Sequence, residues 1–400
     1  MNEIKKYKFC DLYDMASGIS STKGQAGHGA PFLSFGTVFN NYFLPENLID
    51  KMDTTIEEQN TFSIKKGDVF VTRTSETIDE LAMSSVALKD YPNATYSGFV
   101  KRLRPKTTGI VYDKFLAFYL RSKLFRKTMT NNATMTLRAS FNEDIFSFLY
   151  LYLPPYEEQK KIGDLLYNIE MKMLANKKIN DNLEQQAVTY FQELYINNAN
   201  PMWQIGTISD LGTVVGGSTP SKNKPEYYTN NGIAWITPKD LSINKSKFIS
   251  HGENDITDLG LKNSSATVMP KGTVLFSSRA PIGYIAIASN EVTTNQGFKS
   301  VVPYLEIGTA FVYFFLKHSL PVIESAASGS TFKEISGSAM KNIPAIIPDR
   351  STLDQFNSFC APIFAQQKIL EDQNYSLAML RDSLLPKLMS GAIDIASIQL

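Results

Sequence analysis

The stretch Lys271–Leu275 reads Lys-Gly-Thr-Val-Leu and runs directly into Phe276–Arg279. A near copy stands in the first half of the chain, where Lys66–Phe70 reads Lys-Gly-Asp-Val-Phe and runs into Val71–Arg73. Both stretches join a turn-forming Lys-Gly pair to an apolar run with the composition of a buried strand. The chain therefore carries the same strand-forming element twice.

The same order of motifs continues after this element in both halves. Gln296–Phe298 matches Ser97–Phe99, and Thr331–Lys333 is faintly matched by Thr136–Arg138. Each copy then reaches a proline-flanked apolar run and closes with a long helical pattern. Such an ordered repeat indicates one structural unit present twice, which is typical of a protein with two binding heads rather than one catalytic pocket.

The helical pattern after each copy has one apolar seam. Residues 156–198 lack proline and place apolar side chains three or four residues apart, or at multiples of this spacing, namely at Ile162, Leu166, Ile169, Met173, Leu183, Ala187, Tyr190 and Leu194. Residues 350–390 form a second helical pattern, with Phe356, Phe359, Ile363, Ile369, Leu377 and Leu380 on one side. Because a helix of this length cannot bury its seam alone, the two are predicted to pack on each other as an antiparallel coiled coil.

The segments before the helices mix short apolar runs with glycine, asparagine and serine, which predicts an α+β fold. Gly232–Ile236 and Tyr284–Ala288 have the composition of strands. We predict two similar α+β domains, at residues 1–155 and 201–347. Helical spacers follow them at residues 156–200 and 348–400.

Composition is that of an ordinary globular protein, with 400 residues, 43% of them hydrophobic and 20% charged. No run of 18 apolar residues could form a transmembrane helix, and the amino terminus lacks the apolar core of a signal peptide. The two cysteines, Cys10 and Cys360, are too few for a disulfide framework. We expect a cytoplasmic protein with no membrane partner.

The net charge is only +1, but basic residues are concentrated in one stretch of the first half. Asp113 is the one acidic residue between positions 101 and 138. The basic residues there are Lys101, Arg102, Arg104, Lys106, Lys114, Arg121, Lys123, Arg126, Lys127 and Arg138. This basic stripe could neutralise DNA phosphates. It could also be the solvated face of an amphipathic helix over Tyr112–Met129 that turns Phe115, Tyr119 and Leu124 inward.

Motifs for catalysis are missing. The sequence has no phosphate-binding loop of the Walker type, and Gly216–Pro220 lacks the glycine spacing of a dinucleotide site. His28, His251 and His318 have no second ligand at metal-binding spacing. Leu153–Tyr156 resembles the Asn/Asp-Pro-Pro-Tyr motif of DNA amino-methyltransferases, but its leucine cannot accept a hydrogen bond from an amino group. We predict no catalytic, cofactor-binding or metal-binding residue in this chain.

The second half resembles the specificity subunits of type I restriction-modification systems. The resemblance rests on ordered matches at Gly217–Ser221, Ala234–Leu241, Pro270–Val274, Phe276–Gly283, Asn295–Phe298, Gly329–Lys333 and Leu380–Gly391. The first half is a divergent copy, in which Gly18–Lys23 stands in place of the Gly-Ser-Thr-Pro run and Tyr96–Gly98 in place of Asn-Gln-Gly.

This resemblance implies a non-catalytic subunit that reads double-stranded DNA through two target-recognition domains. It implies two modification subunits as partners, which carry S-adenosylmethionine and methylate adenines. Restriction subunits, which use ATP and Mg, can then join. Each domain would read one half of a gapped target, and the paired helices would measure the gap. Two other interpretations stay open: a coiled-coil adaptor that does not read DNA, and a methyltransferase or nuclease with its own active site.

Candidate DNA contacts come from the repeated motifs and from polar segments peculiar to this chain. The repeated motifs contribute Thr219, Ser277, Ser278, Arg279, Asn295, Gln296, Ser330, Thr331 and Lys333. Family members with different targets share Arg279, Asn295 and Gln296, so these three are expected to position phosphates or support the fold. The remaining candidates, for bases or phosphates, are Lys23, Arg73, Thr74, Ser75, Lys123, Arg126, Lys127, Arg138, Lys222, Lys224, Tyr227, Lys245 and Lys247. For the polar segments among them, an ordinary solvated loop is the alternative. Trp235, among apolar neighbours, is expected in the core.

Overall fold

The computed structural model describes residues 4–20, 22–77, 80–132, 139–279, 281–329, 333–393 and 395. They form two units. The first unit combines residues up to Met173 with those from Ser376 onward, and the second comprises Leu174–Tyr375. The division falls inside both long helices, so each unit contains a stretch of each. The segment limits predicted at residues 155, 200 and 347 stay a prediction.

The first unit is a mixed α+β domain. Its strands are β1 (Lys5–Lys8), β2 (Tyr13–Ser17), β3 (Ala26–Leu33), β4 (Lys51–Met52), β5 (Val69–Thr72), β6 (Thr74–Ser75), β7 (Ser84–Val86), β8 (Thr95–Tyr96), β9 (Val100–Pro105), β10 (Ala139–Ser140) and β11 (Tyr150–Leu153). Its helices are α1 (Phe9–Leu12), α2 (Phe35–Asn40), α3 (Ile56–Thr61), α4 (Asp113–Arg121), α5 (Lys123–Asn132) and α6 (Glu143–Phe148), followed by the start of α7 (Tyr156–Phe191). A 3-10 turn covers Lys23–Gln25.

The second unit repeats this plan. Its strands are β12 (Gln204–Thr207), β13 (Gly212–Gly216), β14 (Tyr228–Thr229), β15 (Ile233–Ile236), β16 (Phe248–Ile249), β17 (Asn254–Ile256), β18 (Val274–Ser278), β19 (Ile282–Ala288), β20 (Thr293–Thr294), β21 (Lys299–Pro303) and β22 (Pro344–Ile347). Its helices are α8 (Ile208–Leu211), α9 (Pro238–Ile243), α10 (Asp258–Lys262), α11 (Thr309–His318), α12 (Leu320–Ser325), α13 (Gly337–Lys341) and α14 (Arg350–Met389), with a 3-10 turn at Pro225–Tyr227.

Sheet topology confirms the repeat. The main sheet has the order β2-β9-β5-β7 in the first unit and β13-β21-β18-β19-β16 in the second. A smaller sheet pairs β3 with β4 antiparallel and with β8 parallel, as β15 pairs with β17 and β20. The repeated Lys-Gly pairs precede the central strands β5 and β18. Gly67 and Gly272 adopt positive φ angles of 84° and 89° there, a conformation that favours glycine.

The stretches of α7 and α14 in each unit pack on its core. In the second unit they run antiparallel, as predicted. Asn176 Nδ2 donates to Asn374 Oδ1 at 2.9 Å, and Gln367 Nε2 donates to the main-chain oxygen of Asn180 at 3.2 Å. In the first unit, Leu385 and Leu388 of α14 share one hydrophobic cluster with Ile162, Leu166 and Ile169 of α7.

The seam predicted for α14 is partly wrong. Phe356 and Ile363 are buried, but Phe359, Ile369 and Leu380 are 38%, 50% and 42% exposed. The buried face carries Cys360, Gln367 and Leu370 instead. Gln367 is polar and therefore does not contribute to the apolar periodicity of the sequence. It can be buried because its amide forms hydrogen bonds within the protein.

The helix predicted over Tyr112–Met129 is two helices, α4 and α5. Ser122 has an extended backbone, and its hydroxyl donates to the main-chain oxygen of Tyr119 at 2.6 Å, which ends α4. This break resets the helical phase. Phe115 and Tyr119 are buried as predicted, whereas Leu124 is 48% exposed and Phe125 is buried in its place. Within the described residues, no helix is both long and apolar enough to cross a membrane.

Candidate nucleic-acid interface

A glycine segment lies directly against a turn in the second unit. A Cβ at Gly217 would lie 1.9 Å from the main-chain oxygen of Asn295, so only glycine fits this approach. Ser218 N donates to the oxygen of Thr294 at 2.9 Å, and the hydroxyl of Thr219 donates to the side-chain oxygen of Gln296. The two repeated motifs, Gly-Ser-Thr-Pro and Asn-Gln-Gly, thus form one surface.

The first unit has the same arrangement despite its divergent sequence. A Cβ at Gly18 would lie 2.2 Å from the main-chain oxygen of Ser97. Ile19 N donates to the oxygen of Tyr96 at 2.9 Å, and Gly98 N donates to the oxygen of Ile19 at 2.8 Å. The backbone frame is therefore shared, although the first unit lacks the Thr-Gln side-chain contact.

Neighbouring motifs support this frame. Trp235 is buried, as expected, and its indole N–H donates to the oxygen of Ser218 at 3.0 Å. Thr237 and Asp240 form a capping box at the start of α9, in which Asp240 Oδ2 accepts from Thr237 N at 2.7 Å. The Thr-Pro-Lys-Asp motif of the second half is thus a helix start beside the interface.

Arg279 follows the central strand β18 and lies next to the turn, because Ser278 N donates to the oxygen of Gly297 at 2.7 Å. Its guanidinium is 3.5 Å from Glu334, and Lys299 Nζ lies 3.7 Å from the same carboxylate. Lys333, next to Glu334, is exposed. Three cations therefore surround or adjoin one acidic side chain.

Arg73 occupies the corresponding place in the first unit, after β5. It is exposed, and its main-chain N–H donates to the oxygen of Phe99 at 2.8 Å. Lys101 Nζ donates to Ser17 Oγ at 2.7 Å. Burial and the nearby charge of Arg73 lower the pKa of Lys101, with Glu143 opposing in part. Two cations thus repel each other here, a state that a phosphate would relieve.

Several cations of the basic stripe are engaged by other parts of the folded chain. Arg104 forms two hydrogen bonds with the buried Asp68 at 2.7 and 2.6 Å, and Lys114 is 2.7 Å from Asp164. Arg121 donates to main-chain oxygens of Val38, Phe39, Asn41 and Ser84. These partners come from distant sequence. Of the predicted contacts in the stripe, Lys123 and Lys127 are exposed and Arg126 is half-buried.

The other predicted contacts differ in their exposure. Lys222, Lys245 and Gln296 are exposed, as is Lys224, whose ammonium is 3.6 Å from Glu226. The half-buried ones are Thr74, Ser75, Thr219, Tyr227, Arg279 and Asn295. Lys23 begins the first 3-10 turn. Arg138, Ser330 and Thr331 lie outside the described residues.

Three predicted contacts are buried. Ser277 Oγ donates to the oxygen of Pro281 and accepts from Tyr284 N, both at 2.8 Å, so this hydroxyl supports a turn. Ser278 is also fully buried. Lys247 is only 7% exposed, and its ammonium forms an ion pair with Glu184. In this structure none of the three side chains is accessible at the protein surface.

The described residues contain no group of three or more His, Cys, Asp or Glu side chains that could hold a metal ion. His251 lies 3.3 Å from Asp255, and His28 lies 4.0 Å from Asp53, each as an isolated pair. What the described sites offer is hydrogen-bond donors and cations, which suit an anionic polymer.

A model of the type I restriction modification DNA specificity domain matches the chain twice, at residues 5–185 and 200–372. The MjaIX specificity subunit of Methanocaldococcus jannaschii is 41% identical over 162 residues, which are 40% of this chain and 37% of that protein. The HindI specificity subunit of Haemophilus influenzae is 24% identical, and the match covers 98% of this chain and all of that protein.

The crystal structure of the S subunit of a type I system from M. genitalium matches 97% of this chain and 96% of that chain. The TM-score is 0.59 at 16% identity, a likeness that shows the fold alone. Specificity subunits are the recognition components of type I systems and are not catalytic, so the matches confirm the prediction of a non-catalytic chain. Because the domain model matches both halves over most of their length, the chain belongs to the family of type I restriction-modification DNA specificity subunits.

Proposed function

We propose that this protein reads a gapped, two-part DNA target, with one unit for each half, and directs partner subunits to it. Those partners are two modification subunits that methylate adenine with S-adenosylmethionine, joined in some complexes by restriction subunits that use ATP and Mg. The long helices set the distance between the half-sites. The complex acts in the cytoplasm.

One observation carries this proposal: the same candidate interface occurs in both units. A glycine segment meets a turn in each, at Gly18 with Ser97 and at Gly217 with Asn295. An arginine directly follows the adjacent central strand in each, Arg73 after β5 and Arg279 after β18. Two copies of one surface are what a target with two separate half-sites requires.

The charges of the interface support a role for phosphates in positioning the duplex. Arg73 and Lys101 lie close enough for the charge of one to lower the pKa of the other. A phosphate between them would be stabilised by both, without regard to base sequence. Sequence would then be read by side chains that differ between the units, such as Lys222 and Gln296 in the second.

Sequencing of methylated adenines tests the proposal, in cells that express the modification subunits with and without this chain. We expect one gapped motif that appears only with the chain. Methylation that is absent or independent of the chain would favour an adaptor that does not read DNA. Methylation by the chain without modification subunits would favour an enzyme with its own active site.

A salt-dependent gel shift of the assembled complex tests the role of phosphates. Alanine at Lys123, Arg126 and Lys127 should weaken binding equally on all sequences and flatten the salt dependence, by a slope of about 0.9 for each phosphate that is no longer neutralised. An unchanged slope would mean that these three residues form a solvated helix face.

A further inference from the structure

Lys247 is a buried lysine in a segment that otherwise looks like an exposed polar loop. Its ammonium forms an ion pair with Glu184 of α7 and donates to Gln367 Oε1 of α14 at 2.5 Å. It also lies 4.2 Å from the ring centre of Phe364 and 4.8 Å from that of Tyr313. One side chain of the α+β domain is thus held by both long helices.

The backbone of the same segment is held as well. Glu371 of α14 accepts the main-chain N–H of Lys247 at 2.8 Å and that of Phe248 at 3.1 Å. Asn180 Nδ2 of α7 donates to the same carboxylate at 3.2 Å. The segment therefore has a fixed position along the helix pair, defined by directional hydrogen bonds.

Stability alone does not account for this polar network. Desolvating two charges is costly, and a well-packed apolar group often stabilises a fold equally well. Burial raises the pKa of Glu184, but the ion pairs with Lys247 and Lys317 outweigh it and keep that pKa below the usual value. Apolar contacts permit sliding, whereas hydrogen bonds define one position, so the network is suited to fixing position.

The first unit holds its domain in the same place with different chemistry. Phe43 forms a parallel β-bridge with Val86 of β7. This contact corresponds to the parallel pairing of Phe248 in β16 with Ile287 in β19 of the second unit. Tyr42, just before Phe43, lies 5.6 Å from the guanidinium of Arg381 of α14, which pairs with Glu170 of α7 at 2.9 Å. Here the helix supplies the cation and the domain supplies the aromatic ring.

We propose that Lys247 is a positioning residue that fixes the second recognition domain on the long helices and so restricts the gap length that the complex accepts. This inference rests on the proposed function. It assigns Lys247 no contact with DNA, since its ammonium is occupied inside the protein. Loss of the network should leave both half-site sequences intact and relax only their spacing.

The test uses the full complex of this chain with its modification subunits and DNA duplexes that carry the methylated motif at its native gap and at gaps one base pair shorter and longer. We expect wild type to methylate the native gap alone. Lys247→Met, which keeps the apolar stem beside Phe364, should methylate the altered gaps at rates within about tenfold of the native one. Lys341→Met, at an exposed lysine of the second unit that is not a candidate DNA contact, is the matched control and should behave as wild type.

Misfolding is separated from mispositioning by the double variant Glu184→Gln with Lys247→Met. It removes the carboxylate that Lys247→Met deprives of one of its ion pairs, the other being with Lys317. Its thermal unfolding midpoint should lie above that of Lys247→Met, while its gap selectivity stays relaxed. A folded Lys247→Met or double variant that still methylates only the native gap would overturn the positioning role. A wild-type complex with no gapped motif at all would instead overturn the proposed function, and the positioning role with it.

Discussion

Substituting Gly217 by alanine should damage the second interface selectively. The new Cβ would lie 1.9 Å from the main-chain oxygen of Asn295 and 2.5 Å from that of Thr294. Both atoms belong to the backbone, so no side-chain rotation can make room. The two segments must separate by about 1.5 Å to reach an ordinary contact, which makes the hydrogen bond from Ser218 N to the oxygen of Thr294 too long to persist.

The cost follows from these contacts. Loss of one main-chain hydrogen bond costs about 1 kcal/mol, and forced separation of packed segments costs about 1–3 kcal/mol more. We therefore expect Gly217→Ala to lower the free energy of unfolding by about 2–4 kcal/mol. Gly216→Ala is the matched control, because its Cβ would meet nothing within 4 Å, and it should change that free energy by less than about 0.5 kcal/mol.

Two measurements check this prediction. Urea unfolding of the purified variants gives the difference in stability. Sequencing of methylated adenines shows whether the half-site read by the second unit is lost while the other half-site is kept. If Gly217→Ala matched Gly216→Ala in both measurements, the close approach of the two motifs would not be what shapes the interface. Gly18→Ala should give the mirror result for the other half-site, since its Cβ would lie 2.2 Å from the oxygen of Ser97.

Three further outcomes are expected. Arg73→Ala should weaken DNA binding and reduce the slope of log K against log salt by about 0.9, measured by gel shift, and an unchanged slope would show that Arg73 does not neutralise a phosphate. Four residues inserted between Ile179 and Leu183 lengthen the helix by about 6 Å and should widen the methylated gap by a base pair or two, at about 3.4 Å each, while an unchanged gap would exclude the helix as the ruler. Because the pKa of Glu184 is lowered in the folded chain, its contribution to stability should be present above the ordinary glutamate pKa and lost as pH falls through the lowered value. The difference in unfolding free energy between wild type and Glu184→Gln should therefore shrink on acidification, and a difference that grows would contradict the pKa direction.

The repeated elements can be predicted well from the sequence because each is short and is determined by residues that are close together in the chain. A Lys-Gly pair followed by an apolar run gives the turn and strand at both Gly67 and Gly272. Long periodic segments predict α7 and α14, whose observed limits are Tyr156–Phe191 and Arg350–Met389. In these cases residues close in sequence determine the structure.

Long-range partners explain what the sequence could not predict. In the sequence, Arg104 belongs to a run of cations and Lys247 to a polar loop segment. In the folded chain, Arg104 pairs with Asp68 and Lys247 pairs with Glu184. Both acidic partners stand more than 30 residues away in the chain. Neither pairing follows from spacing, so a count of local charge overestimates how many cations face a ligand.

The two interfaces share a backbone frame but differ in the side chains they present. The turn of the first unit exposes Phe99 at 66%, whereas Phe298 after the matching turn is fully buried. Thr219 contacts Gln296 in the second unit, while Ser97 stands in the place of Gln296 in the first. A frame fixed by glycine contacts tolerates such changes because it depends on main-chain hydrogen bonds. If the units read different half-sites, as we propose, the differences in sequence preference should trace to these side chains and not to the frame.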